Sequence, residues 1–226
     1  MKILFAASKE MDVTNLEERT NDFNFKEIEK NINYIKSVGR NNCKKVFDTS
    51  EDIYEQNQQI NIYSKKAIEL YNGISFRQLE NYHNEKYSNL MILSALYGFS
   101  YAFDYISPYR YDYTMSNSKL YRNQIYEQLN NLLKNEDVVY NLASKEFSQG
   151  IQHPNLVNFN FLIKDTNSFV QQSVVSKKMR GQMVNYLINN DNPDLEKFNY
   201  DGFEFIEKCS TKNLYIYVKQ FNKNVE

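Results

Sequence analysis

Two short apolar runs, far apart in the chain, stop abruptly at small and polar residues. Residues 3–7 are followed by Ser8 and Lys9, and residues 138–143 lead into Ser144. The first run is continuous and the second is interrupted only by Asn141, and short, mainly apolar runs of this kind predict buried β-strands. Proteins built from strands and helices often place functional groups where such strands end. The two runs therefore predict a sheet that presents polar groups at the ends of its strands.

The rest of the chain shows both helical and strand patterns. Apolar residues at helical spacing predict helices over residues 15–58 (on weak spacing), 63–72, 85–97, 120–133 and 176–190. Gly73 and Gly98 are placed to cap two of them. Residues rich in Phe, Val and Ile predict a hairpin from 159–164 and 168–175, and closing strands at 203–207 and 214–218. We therefore expect an α+β fold: a single domain over residues 1–226, with a mixed β-sheet and packed helices.

The chain carries almost no net charge. Its 226 residues include 27 Lys and Arg against 28 Asp and Glu, which gives a formal net charge of -1. No global positive field draws such a chain to nucleic acid or to an anionic membrane. Any anion site must therefore be a local cluster of cations, and we expect a monomer with no membrane partner.

Cysteines, histidines and the first strand indicate the cellular compartment and the absence of a metal. Cys43 and Cys209 do not have the spacing of a zinc site, and two reduced thiols fit a cytoplasmic protein. Residues 3–7 are too short for a signal peptide or a membrane span. His83 and His153 have no second ligand at suitable spacing, so we expect neither a metal nor a cofactor.

Three blocks of short motifs stand in a fixed order along the chain. The first is LSALYG at residues 93–98, followed by Asp104 and by PYR at residues 108–110. The second is NLASKE at residues 141–146, and the third is KKMRG at residues 177–181. No single block is specific, but three in order are hard to produce by chance.

In order and spacing, these blocks resemble the LSGLYG, RPLD, PYR, NLAS-x-E and AKKARG motifs of the YaaA family, peroxide-stress proteins with DNA-binding members. Lys9 stands where the family has the lysine of SPAK, and residues 67–79 resemble its AxxAFxGxVYxGL segment. Two departures stand out: alanines at residues 6–7 replace Ser-Pro, and residues 101–102 replace the Arg-Pro before the aspartate. The second departure removes one expected cation from the site.

The resemblance implies DNA binding through a helix-hairpin-helix element. The turn at residues 93–99 is our candidate for its hairpin. In such an element, backbone N–H groups near a glycine, here Gly98, hold a DNA phosphate without reading the sequence. From the residues alone, Gly98 fits equally well as the C-terminal cap of a core helix.

The block at residues 177–181 is the clearest independent signal for an anion site. It holds three cations: Lys177, Lys178 and Arg180. Cations near a helix N-terminus oppose the helix dipole, so a chain that keeps them there is gathering an anion. If the helix begins near Ser176, its free N–H groups and these cations converge on a phosphate, and Gly181 permits close approach. The alternative is a solvated, charged end on a core helix.

Polar residues in the other blocks fit a pocket at the end of the sheet. Asp104 and Arg110 are expected to form an ion pair that shapes their loop. Asn141, Ser144 and Glu146 lie where a strand end meets a pocket. The alternative for each of them is that it holds the loop rather than performs chemistry.

The residues and the resemblance lead to two hypotheses. The leading one is a cytoplasmic peroxide-stress protein that binds the backbone of double-stranded DNA in a basic cleft and helps to limit iron-dependent oxidative damage. The alternative is an enzyme or ligand-binding protein that accepts a nucleotide or another small anion in a cleft. Its lining would be Lys9, Asp104, Arg110, Ser144, Glu146, Lys177 and Arg180. Catalytic residues stay unassigned. A pocket should be narrow, whereas DNA needs a basic groove about as wide as a duplex.

Overall fold

A computed structural model gives the structure of residues 1–22, 28–47, 52–113, 118–165 and 168–220. The strands are β1 (Lys2–Ala6), β2 (Glu17–Glu18), β3 (Tyr63–Lys66), β4 (Leu90–Ser94), β5 (Gly98–Tyr101), β6 (Tyr105–Ile106), β7 (Val139–Asn141), β8 (Leu156–Lys164), β9 (Phe169–Val170), β10 (Phe203–Phe205) and β11 (Leu214–Gln220). The helices are α1 (Ile28–Ser37), α2 (Arg40–Val46), α3 (Tyr54–Gln58), α4 (Ala67–Leu70), α5 (Ser118–Leu133), α6 (Lys145–Ser148) and α7 (Ser173–Asn189). Short 3-10 turns lie at Phe76–Gln78, Glu85–Asn89, Leu195–Lys197 and Glu207–Cys209.

One mixed sheet organises the molecule. Its strand order is β10-β11-β8-β7-β1-β4-β5, and β9 pairs with β8. Five adjacent strands of this sheet, β11, β8, β7, β1 and β4, are parallel to one another. Strands β10 and β5 pair antiparallel with them at the two ends of this strand order. A smaller sheet contains β2, β3 and β6. The predicted α+β fold with a mixed sheet and packed helices is therefore confirmed.

Strand β1 lies at the centre of this sheet because its side chains are apolar on both faces. Ile3, Leu4 and Phe5 are almost completely buried. The chain leaves β1 towards β4 on one side and leaves β7 towards β8 on the other. Connections that diverge from two adjacent parallel strands open a crevice at the carboxyl ends of those strands. The topology therefore places a crevice where β1 and β7 end.

Most of the predicted strands and helices are present. The buried strands β1 and β7, the hairpin of β8 and β9, the closing strands β10 and β11, and the helices α5 and α7 all lie where the sequence predicted them. The helix predicted over residues 63–72 is wrong in its first half, since that half is β3, which pairs with β6. Helix α4 then ends at Leu70, and its C-terminal cap is Tyr71 rather than Gly73.

The segment expected to form the helix-hairpin-helix turn, residues 93–99, lies in a β-hairpin. Strands β4 and β5 pair antiparallel, with Ser94 opposite Gly98. Residues 85–97 were predicted as a helix because a short apolar run fits a buried helix or a buried strand equally well. Here the run is buried on both faces of the central sheet as β4. Gly98 has a φ of 67°, a left-handed conformation that closes the hairpin turn instead of capping a helix.

Helix α7 packs against the first 3-10 turn through a glycine. A Cβ added at Gly181 would lie 2.2 Å from the carbonyl oxygen of Ser75 and 2.7 Å from Gln78 Cβ. One turn later, Asn185 Nδ2 donates a hydrogen bond to the Gln78 carbonyl at 2.7 Å. The missing side chain of Gly181 therefore allows the 3-10 turn at Phe76–Gln78 to pack against α7. The space beside Gly181 is filled by this turn and not open to a phosphate, contrary to our expectation.

The loop after β1 is fastened to the neighbouring elements by an acidic residue. The Asp12 N–H donates to the Leu70 carbonyl at 2.7 Å, and Asp12 Oδ2 accepts from Lys65 Nζ at 2.8 Å. Hydrogen bonds from Lys65 and Thr14 hold the pKa of the Asp12 carboxyl well below its ordinary value.

No helix among the residues described by the structure combines the length and the apolar character needed to cross a membrane.

The contact at Gly181 predicts a loss of stability when it is changed to alanine. Alanine favours a helix interior over glycine by about 1 kcal/mol. The clash with the Ser75 backbone should outweigh this gain, and we expect the free energy of unfolding to fall by about 1–3 kcal/mol. Urea denaturation measures this change. Gly39→Ala is the control, since no atom lies within 4 Å of an added Cβ there. Equal effects of the two changes would contradict the packing argument.

The lowered pKa of Asp12 predicts a pH-dependent contribution to stability. The contribution is complete above the pKa of about 3.9 that the group has in the unfolded chain, and it is lost as the pH falls below that value. We expect Asp12→Asn to be less stable than the wild-type protein at pH 7, with a gap that narrows under acid. Thermal melts from pH 7 down to the lowest pH at which unfolding is reversible measure the gap. A constant gap would show that the carboxylate charge does not stabilise the loop.

Candidate functional site

A cleft of about 500 Å³ opens at the carboxyl ends of β1 and β7. Six segments line it: residues 5–11 from β1 and the following loop, residues 73–76, Ala95 after β4, residues 109–112, the β7–α6 turn with part of α6, and one side of α7. Six of the residues predicted from the sequence meet here: Lys9, Arg110, Ser144, Glu146, Lys177 and Arg180. Side chains from separate motif blocks are thus brought together by the parallel strands.

Two arginines, Arg110 and Arg180, lie in the cleft wall. Neither Arg110 nor Arg180 forms an ion pair with any residue that the structure describes. Burial lowers the pKa of the Arg180 guanidinium, because desolvation disfavours the charged form. The Nε of Arg110 is buried and has no hydrogen-bond partner among the described residues. A desolvated cation without a partner is unfavourable, and an anion bound in the cleft would relieve this cost.

A third cation of the cleft lining, Lys177, also forms no ion pair with a described residue. Its side chain is exposed at the rim of the cleft. Lys177 and Arg180 lie three residues apart on α7, so both project from one side of the helix. The helix nevertheless begins earlier than the sequence predicted, at Ser173. The Ser176 N–H already donates to the Gln172 carbonyl at 2.9 Å. Side chains therefore supply the charge here, and the expected set of free helix N–H groups at Ser176 is not present.

Two of the three acidic residues in the cleft lining form ion pairs with basic side chains. Lys9 Nζ lies 2.8 Å from Asp112 Oδ2, and Arg77 reaches Glu10 at 2.7 Å. Glu146 is exposed at the rim and forms no ion pair with a described residue. After the two pairs cancel, three cations and one carboxylate remain in the lining, and its free charge is positive.

Asn141 stabilises the β7–α6 turn, which forms part of the cleft wall. Its Nδ2 donates to Asn158 Oδ1 at 2.8 Å and to Ser148 Oγ at 3.1 Å, while its Oδ1 accepts from the Ala143 N–H at 3.1 Å. The Ser148 hydroxyl in turn donates to the Ser144 carbonyl at 3.1 Å. Asn141 does not line the cleft, and its hydrogen bonds fix the turn that carries Ser144.

Four further predicted site residues also lie outside the cleft lining: Gly98, Asp104, Lys178 and Gly181. Asp104 Oδ2 accepts from the Tyr101 N–H at 2.7 Å and so shapes the turn after β5. Lys178 lies 3.8 Å from Asp201 and above the ring of Tyr200. Gly98 is in the β4–β5 hairpin, and Gly181 contacts the Ser75 backbone.

The sequence departure at residues 101–102 does not remove a cation from this cleft. Tyr101 lies on β5, where Lys2 Nζ is 5.4 Å from its ring centroid, and it is not part of the lining. Position 101, where the resemblance led us to expect a cation, is therefore separate from the cleft lining.

The site residues predicted from the sequence do not include the aromatic side chains that line the inner part of the cleft, which are Phe5, Phe76, Tyr109, Tyr111 and Phe147. The rings of Phe5 and Phe76 meet edge to face at 4.9 Å. The hydroxyl oxygens of Tyr109 and Tyr71 lie 3.0 Å apart, and burial raises the pKa of Tyr109 to about 12. A usable signal was present, since Tyr109 precedes Arg110 and Phe147 follows Glu146 in the chain.

Neither histidine lies at the cleft. His83 Nδ1 is 3.9 Å from Glu69, and His153 Nε2 is 3.0 Å from the Glu136 carbonyl oxygen. Over the ranges that the structure covers, no group of three or more His, Cys, Asp and Glu side chains is arranged to hold a metal ion.

Comparison with known proteins places the chain in a family. A family model described as peroxide stress protein YaaA matches residues 1–209. A UPF0246 protein of Fusobacterium nucleatum is 31% identical over 97% of this chain and 99% of its own length. A UPF0246 protein of Malacoplasma penetrans is 30% identical over 98% of this chain and 100% of its own. A third, from Agathobacter rectalis, is 28% identical over 97% and 99%. The family match and these nearly end-to-end relatives show that the chain belongs to the YaaA (UPF0246) family of peroxide stress proteins.

Proposed function

We propose that this protein of the peroxide stress family acts by binding a small anionic molecule in the cleft at the ends of β1 and β7. The observation that carries the proposal is the pair of arginines, Arg110 and Arg180. They come from different parts of the chain, line one small cavity and lack a counter-charge among the described residues. Arginine suits this role because its planar guanidinium forms paired hydrogen bonds to phosphate or carboxylate oxygens.

The size and place of the cleft support a small ligand. Small-molecule sites commonly enclose about 300–1,000 Å³, and this cleft holds about 500 Å³. It lies outside the carboxyl ends of parallel strands, at the point where chain connections diverge, which is the usual ligand position in open sheets of this kind. A phosphate or carboxylate group would contact Arg110 and Arg180, with Lys177 at the rim.

Double-stranded DNA makes a different demand on the surface. A duplex requires cations spread along a groove of its own width, and its affinity falls steeply with salt. The free cations described here instead surround a cavity of small-molecule size. The turn that supported the DNA hypothesis lies in the β4–β5 hairpin. DNA binding stays a prediction of the family resemblance, and it forms one arm of the test below.

The proposal predicts that Arg180→Gln weakens anion binding. Hydrogen bonds to charged groups contribute about 1.5–3 kcal/mol, which corresponds to about a 10- to 100-fold loss of affinity. Isothermal titration calorimetry with phosphate, pyrophosphate, ribose 5-phosphate and AMP measures the affinity. We also expect the ligand-free variant to be at least as stable as the wild-type protein, because the change removes a desolvated charge.

Lys178→Gln is the matched control. It removes one positive charge from the same helix, two residues away, where the side chain pairs with Asp201 outside the cleft. We expect no change in its affinity for the small anions. The proposal fails if no anion of the panel binds. It also fails if labelled duplex DNA binds at low salt and both variants weaken that binding equally, since this result would place the anion site on an extended surface.

A further inference from the structure

The inner part of the cleft differs in chemistry from its rim, and this difference bears on the class of ligand. The rim carries Lys177 and Glu146, both exposed to solvent. The inner lining includes the five aromatic rings named above and the small side chains of Ala6, Ala7 and Ala95. A bare phosphate would use only the cationic side of this lining.

The hydroxyl group of Tyr109, one of the two tyrosines in the lining, forms its hydrogen bond with another side chain of the protein. The Tyr109 hydroxyl is hydrogen-bonded with that of Tyr71, and the Tyr71 side chain is buried. Because burial raises the pKa of Tyr109 to about 12, the phenol stays neutral at physiological pH. The contribution of Tyr109 to the cleft is therefore ring carbon rather than a charged or free hydroxyl group.

Phe147 is the aromatic ring best placed to contact a ligand. It is only partly buried, it lies on α6 directly after Glu146, and the ring of Tyr113 supports it edge to face at 5.2 Å. The lining also includes the small side chains of Ala6, Ala7 and Ala95, which leave room for a flat group in the cleft. Flat rings pack well against aromatic side chains, and such stacking is tolerant of the ring's identity.

On the basis of the proposed function, we infer that the ligand is an aromatic or heteroaromatic ring joined to an anionic group, such as a nucleoside monophosphate or an aryl phosphate. The ring occupies the inner aromatic lining beside Phe147. The anionic group contacts Arg110 and Arg180. The carboxylate of Glu146 accepts hydrogen bonds from hydroxyl or amino groups of the same ligand at the rim.

Calorimetric titration of the full chain with four matched probes tests the ring. AMP carries ring and phosphate, phenyl phosphate carries a ring without a sugar, ribose 5-phosphate lacks the ring, and adenosine lacks the phosphate. We expect AMP or phenyl phosphate to bind about tenfold or more tightly than ribose 5-phosphate, since stacking of one base commonly accounts for such a factor. Tighter binding of AMP identifies a nucleotide, and tighter binding of phenyl phosphate identifies a simpler aromatic acid.

Phe147→Leu should reduce the affinity for the better ring-bearing probe about tenfold and leave ribose 5-phosphate unchanged. Phe205→Leu, a change to a partly buried ring on β10 outside the cleft, is the control and should alter neither affinity. If ribose 5-phosphate binds as tightly as both ring-bearing probes, the ring inference is wrong while the anion site stands. If adenosine binds as tightly as AMP, the anion site is wrong. If none of the four binds, both proposals fail.

Discussion

The parallel pairing of β1 with both β4 and β7 is the constraint on which the cleft depends. Ile3 lies opposite Leu90 in one neighbour and opposite Tyr140 in the other. The strand is buried on both of its faces, and slipping it by one residue would reverse the direction of every side chain. The carboxyl ends of the three strands therefore reach the same edge together. The loops that follow β1 and β7 have to meet there, and the charged residues they carry meet with them.

The sequence predicted the longest helix and two of the short buried strands. Strand β1 is a continuous apolar run, β7 lies in a mainly apolar run that contains Asn141, and α7 is long enough to be recognised as a helix. Strand β4 was predicted as a helix, because a buried apolar run of five residues fits either structure. A glycine with positive φ is common both after the end of a helix and in a hairpin turn, so Gly98 did not distinguish a helix from a strand here.

The same reasoning explains which of the predicted site residues lie in the cleft. Arg110 in the loop after β6, Ser144 in the turn after β7 and Arg180 on α7 do line the cleft. Gly181 does not line the cleft. A residue without a Cβ allows close approach of either a protein backbone or a phosphate, and the sequence alone does not distinguish the two. Lys178 follows Lys177 directly, and a step of one residue on a helix turns the side chain to a different face. The aromatic lining was missed because Phe and Tyr are common throughout this chain.

A chain with a net charge of -1 can still bind an anion, because positive charges without an ion pair are concentrated in the cleft. Of the three acidic residues in the cleft lining, Asp112 and Glu10 are already paired, with Lys9 and Arg77, and Glu146 is exposed at the rim and pairs with neither arginine. The two pairs tie the loop after β1 to the segments on either side of it, and they leave Arg110 and Arg180 without a partner among the described residues. Keeping these guanidinium groups desolvated opposes folding, while the parallel strands and the contact of α7 with its 3-10 turn hold them in place. The stability of the central sheet and the affinity of the cleft for an anion are therefore linked, since the sheet maintains the unpaired charges that a ligand would neutralise.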